Sequence, residues 1–98
     1  DVAELYLLAL TKAPAGAFYF AENGEASFAE IGAAIGTRLG LRVESLPVET
    51  AAQQWGDSRA RYTFGSNSRV RAKRARRELH WSPRHPSAVS WVLNEMPL

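Results

Sequence analysis

Cysteine is absent from this 98-residue chain, which excludes disulfides and thiolate metal sites. The two histidines, His80 and His85, have no carboxylate cluster beside them in sequence, so a zinc site is not expected either. Long hydrophobic runs are also missing. A membrane-spanning helix needs about 18 to 20 apolar residues. The most apolar stretch, Val2 to Leu10, is broken by Glu4 and carries no basic leader. The expectation is a soluble, untargeted chain, with the cytoplasm as the default compartment. Catalytic constellations are missing too. No glycine-rich dinucleotide fingerprint follows a strand, and no serine sits in a nucleophile elbow. Tyr6, Tyr19 and Tyr62 are followed four residues on by Leu10, Asn23 and Ser66, not by lysine. There are no repeats and no low-complexity tract. Taken alone, the sequence is catalytically incomplete.

What is present fits one small folded domain over residues 1–98, because 46% hydrophobic and 22% charged residues do not make a disordered composition. Chains of this size bury only about 60 to 65% of their unfolded surface, so loss of a partner surface is felt strongly. The net charge of +2 conceals a split. Asp1 to Asp57 holds eight acids against three bases, a net −5, and Ser58 onward holds nine bases against two acids, a net +7. That asymmetry points to an anionic ligand near the C-terminal part, or to the two parts facing each other.

The start and stop signals are clear in places. Asp1 can cap a first helix over Val2 to Lys12, whose stripe of Val2, Leu5 and Leu8 or Ala9 ends at Pro14 and Gly16. Ala17 to Ala21 is short and aromatic, the pattern of a strand, and Asn23-Gly24 supplies a turn after it. Ser27 and Glu30 form a capping box for a helix carrying Phe28, Ile31, Ile35 and Leu39, with Gly40 placed as its left-handed cap. Arg42 to Val48 reads as a second strand, leaving its ladder at Pro47. Thr50 to Trp55 reads as a short helix stopped by Gly56, and Asp57 to Ser66 as a polar loop. Ser68 to Leu79 reads as a basic helix in which only Ala72, Ala75 and Leu79 share a face. Ser82-Pro83 breaks it, and Ser87 caps a last helix bearing Val89, Val92 and Leu93. The sum is an α/β domain with short strands and about four helices.

Arginine-rich faces are most simply solvated, with their stems lying along a neighbouring surface. Set against that reading is the guanidinium fork, which binds a diphosphate bidentately, above all near a helix N-terminus. Arg69 is the best single candidate. The aromatics do not alternate with the arginines as a base-stacking platform requires, so nucleic acid is the weaker partner. Gly32, Gly36 and Gly40 read as a smooth ridge for close helix packing, not as a phosphate loop. His80 and His85 read as a helix-end residue and a turn residue, and Trp55, Trp81 and Trp91 as core anchors.

A family resemblance follows from particular residues. Asp1-Val2-Ala3 with Leu5-Tyr6 and Leu10, then Phe18 to Phe20 with Asn23-Gly24-Glu25, then Ser27-Phe28 with Glu30-Ile31, resemble successive segments of extended short-chain dehydrogenase/reductases, the NAD(P)-dependent epimerase/dehydratase family. Ser66-Asn67-Ser68-Arg69-Val70 and Glu78-Leu79-His80-Trp81-Ser82-Pro83 resemble its terminal signature. His80 stands where the pattern has glycine, which asks a histidine to enter the left-handed region. Arg71 stands where a capping serine or aspartate is common.

The resemblance implies that these residues are the C-terminal substrate-binding lobe of a larger enzyme. NAD or NADP and the tyrosine-lysine pair then belong to an N-terminal Rossmann half outside this chain. It implies an anionic substrate of nucleotide-sugar type, met by Asn67 and Arg69 and, with weaker cases, by Arg61 and Arg71. Hydride transfer would occur at the missing half, with Arg69 neutralising substrate charge. Two other readings remain open: an autonomous module whose basic helix grips nucleic acid, and an interaction domain that pairs with itself as a homodimer.

Overall fold

Two of the three side-chain caps expected from sequence form, at Ser27 and Ser87. The Asp1 carboxylate caps no amide of its own helix and instead accepts from the Arg84 amide at 2.7 Å and the His85 amide at 3.0 Å. The computed structural model describes residues 1–98. Helix α1 (Val2–Lys12) follows Asp1 and stops at Ala13, before Pro14. Helix α2 (Phe28–Leu39) starts with the complete capping box: the Ser27 hydroxyl accepts from the Glu30 amide at 3.2 Å, and the Ser27 amide donates to the Glu30 carboxylate at 2.7 Å. Gly40 ends it at φ 66°, ψ 32°. Helix α3 (Val48–Trp55) begins after Pro47, whose ring presets φ at −56°, and is stopped by Gly56 at φ 91°. Helix α4 (Lys73–Leu79) ends on His80 in the left-handed region, φ 53° and ψ 33°, as the replaced glycine demands. In helix α5 (Ala88–Asn94) the Ser87 side chain accepts from the Ser90 amide, the cap read from sequence.

The α/β expectation is overturned: the protein is all-helical, with no sheet. Ala17 to Ala21 and Arg42 to Leu46 have strand-type residues, but a strand exists only where a neighbour completes its ladder. Neither run finds one within the chain. Three further expectations are corrected. The basic helix starts at Lys73 and not at Ser68, because Arg69 and Arg71, two residues apart, both reach Glu25, and two-residue spacing on one side belongs to extended backbone. The segment Asp57 to Ser66 is not a plain loop. Residues Arg59–Phe64 coil into a π-type turn that buries Ala60, and Gly65 permits it, since a side chain there would meet the Ala60 carbonyl and sit 3.2 Å from that of Arg61. Of the three tryptophans, Trp81 is buried at 2% exposure, whereas Trp55 is 45% exposed and Trp91 is half-buried.

Packing occurs in three separate places. α1 meets α4 around Leu5, Ala72, Ala75, Leu79 and Trp81, with Leu8, Ala9, Ala13 and Tyr19 packed against that cluster. α2 pairs with α5, where Arg38 donates to the Met96 carbonyl at 3.1 Å. α3 pairs with the π-type turn, where Phe64 sits edge-on to Trp55 at 5.9 Å and to Phe28 at 5.4 Å. Gly36 brings the following chain against α2: a side chain there would lie 2.9 Å from the Leu41 carbonyl and collide with Val43.

The result is a plate measuring 46 × 31 × 18 Å. Its radius of gyration is 16.8 Å, against about 13 Å for a compact domain of this length. Accessible surface is 7521 Å², about 2000 Å² more than the roughly 5500 Å² that a folded monomer of this mass exposes. Only 11 of 98 residues are buried, and Tyr6, Leu10, Phe18, Leu41 and Val43 are all more than half exposed. No helix is long and apolar enough to cross a membrane.

Candidate functional site

The acidic and basic parts of the sequence face each other. Glu25 holds Arg69 Nε at 2.7 Å through one carboxylate oxygen and Arg71 Nη2 at 2.6 Å through the other. Glu22 accepts from the Gly24 amide at 2.7 Å and the Ala72 amide at 3.2 Å, and pairs with Arg76 at 3.3 Å. Glu78 holds Arg74 at 3.0 Å and accepts the Tyr19 hydroxyl at 3.0 Å, while the Arg74 guanidinium lies over the Tyr19 ring. Three carboxylates, Glu22, Glu25 and Glu78, thus offset half of the six cations from Arg69 to Arg77, which lowers but does not remove the positive potential presented to a phosphate backbone.

Beside Glu25 opens a polar recess of about 440 Å³, walled by Glu25 to Ser27 and Glu30 on one side and by Asn67 to Arg69 on the other. A shallower hollow of about 230 Å³ continues past it toward Arg71. Of the four residues singled out from sequence, Arg69 and Arg71 thus share the Glu25 carboxylate, and Asn67 lines the same recess as Arg69. Arg61 does not join them. It sits on the π-type turn, bound to Asp57 at 2.6 Å and facing Glu49 at 3.8 Å. Arg69 is 70% exposed and engages Glu25 through Nε. Its terminal nitrogens have no partner in the chain and can serve as a bidentate donor.

Glu25 was missed in reading the sequence, because it lies 46 residues from Arg71 and nothing local marks the pairing. Its carboxyl is held below the usual value, 4.5, first by the hydrogen bond from Arg71 and then by the charge of Arg69. Glu30 is lowered by the Ser27 amide and hydroxyl. Both carboxylates of the recess are therefore ionised at neutral pH. His85 lies elsewhere and has both ring nitrogens engaged, Nδ1 with Asp1 at 3.1 Å and Nε2 with Glu95 at 3.2 Å, so it acts as a tie between chain segments.

A sign follows for acid stability. Glu22, Glu25, Glu30 and Glu78 all have carboxyl groups lowered by partners that exist only in the folded chain. Their stabilisation is present above 4.5, the usual value, and is lost as pH falls through their lower folded values. Circular dichroism with urea is expected to show a midpoint that is steady from about pH 7 to about pH 5 and falls steeply below about pH 4. A midpoint constant down to about pH 2 contradicts these pairings.

No family model, curated protein or solved structure matches this chain.

Proposed function

We propose that the chain is a substrate-binding lobe that works against a separate Rossmann body in an NAD(P)-dependent enzyme of the epimerase/dehydratase type. One observation carries the reading. Asn67 and Arg69, the centre of the terminal motif, line one recess on a molecule that leaves about 2000 Å² more surface uncovered than a self-sufficient monomer does. A second body laid on the plate accounts for that surface. The extended run Phe18 to Phe20 fits the same idea, since it has a strand-type sequence and makes no backbone hydrogen bond to backbone.

NAD or NADP goes with the other body. Gly36 lies against Val43 and the Leu41 carbonyl, so it packs α2 against the chain that follows it. The lobe's part is to bind and to exclude water. An anionic group entering the recess meets the free edge of Arg69 and the Asn67 amide, and Glu25 fixes the guanidinium before the ligand arrives. Preorganisation of this kind reduces the ordering lost on binding. The two carboxylate walls repel bare anions and accept from hydroxyls, which suits a ligand carrying both phosphate and sugar hydroxyls. Action in the cytoplasm goes with this reading, as does weak nucleic-acid binding.

The test needs both halves of the enzyme. Arg69→Ala is expected to raise KM by about tenfold or more with kcat less affected, the scale of one charge-assisted hydrogen bond. Arg69→Lys recovers part of the charge but not the fork. An unchanged KM in Arg69→Ala removes Arg69 from the site.

A further inference from the structure

Leu41 to Pro47 runs from the Gly40 cap to α3 without turn or bend, and every residue in it is exposed. Arg42 to Leu46 make no backbone hydrogen bond to backbone. Beside this edge lies an apolar groove of about 810 Å³ lined by Phe28, Ile35, Val43, Leu46, Trp55 and Phe64. An open row of amides and carbonyls next to an apolar groove is the surface that β-strand addition uses.

The sequence of the edge says what pairs with it. We propose that a second copy of this chain docks here, the two Leu41–Ser45 segments pairing antiparallel about a two-fold axis at Val43. In that register Arg42 lies opposite Glu44 of the second copy, and Glu44 opposite its Arg42, so both cross-strand pairs carry opposite charges. Slipping by two residues sets Arg42 against Arg42 or Glu44 against Glu44. Slipping by one turns Val43 to the wrong face. The ends fit as well. Gly40 turns the backbone out of the ladder at φ 66°, and Pro47 has no N–H to donate. Within one copy Arg42 and Glu44 pair with each other, and in the dimer the same two opposite charges re-pair across the seam. The surface in excess of a compact monomer, about 2000 Å², is more than the roughly 800 Å² per partner that a stable interface covers.

The proposal concerns the groove edge and does not rest on the lobe reading, which concerns the recess. Sedimentation velocity on the 98-residue chain across a concentration series reads it directly. Arg42→Glu and Glu44→Arg each replace two attractive cross-strand pairs by two repulsive ones. Each is expected to weaken the dimer by about tenfold or more, and the double variant R42E/E44R to restore it. The two side chains are 85% and 57% exposed, so the monomer fold survives these changes, and far-UV circular dichroism verifies that it does. Amide exchange at Arg42 to Leu46 slows as concentration rises. Three results each overturn the proposal: a monomer at every concentration, a dimer indifferent to both single variants, or a double variant as weak as the singles.

Discussion

Leu79→Ala is expected to lower the unfolding free energy by about 2–5 kcal/mol, the cost of deleting a buried leucine without full collapse of the cavity. The residue is 1% exposed at the C-terminal end of α4, where Leu5, Ala72, Ala75 and Trp81 close around it. Two of those four neighbours are alanines, which have no rotamers with which to refill the space. Trp81 is held too, by its indole N–H, which donates to the Asp1 carbonyl at 3.0 Å. Domains of this size are stable by only about 5–15 kcal/mol, and so thin a plate belongs at the low end. The substitution therefore removes most of what holds α1 to α4. Urea denaturation followed by tryptophan fluorescence measures it. A loss below about 1 kcal/mol shows that Leu79 is not packed as described.

Glu22→Ala is expected to cost about 1–3 kcal/mol, more than loss of any other carboxylate that faces the basic run. Most of the ion pairs are exposed on both sides and are worth about 0–1 kcal/mol each. Glu22 differs in being 13% exposed and in taking two backbone amides besides Arg76. Without it the Ala72 amide, next to the best-packed cluster, loses its acceptor, and Arg76 loses its carboxylate. Glu25→Ala is the natural comparison, since Glu25 is 41% exposed and binds side chains only. Equal losses from the two, by the same urea titration, contradict this account.

What could be read from the sequence was whatever is settled within four residues. Ser27 with Glu30, Gly40, Ser87 and the left-handed His80 are local hydrogen-bond and steric problems with one solution each, and the structure has those solutions. Ala72, Ala75 and Leu79 were legible as one buried face for the same reason. The strands failed because a strand's stability lies in its neighbour: Phe18 to Phe20 and Arg42 to Leu46 have the composition, but nothing in the chain pairs with them. The start of α4 failed because a residue distant in sequence decided it, Glu25 drawing Arg69 and Arg71 to one side. Asn67 and Arg69 were singled out by their position in the resembled motif, with Arg61 and Arg71 as weaker cases, and the structure brings Asn67 and Arg69 to one recess. Arg61 lies apart, bound by Asp57 one helical turn away, a pairing the resemblance does not reveal.

The 18 Å thickness of the plate leaves room for fewer than two helices of about 10–12 Å stacked on each other. The packed regions are joined thinly, Phe28 on α2 reaching Phe64 on the π-type turn at 5.4 Å. Whatever covers the broad face of this molecule does more than shield greasy side chains. It adds contacts between regions that the chain itself ties loosely, and so sharpens the single transition in which the protein falls apart.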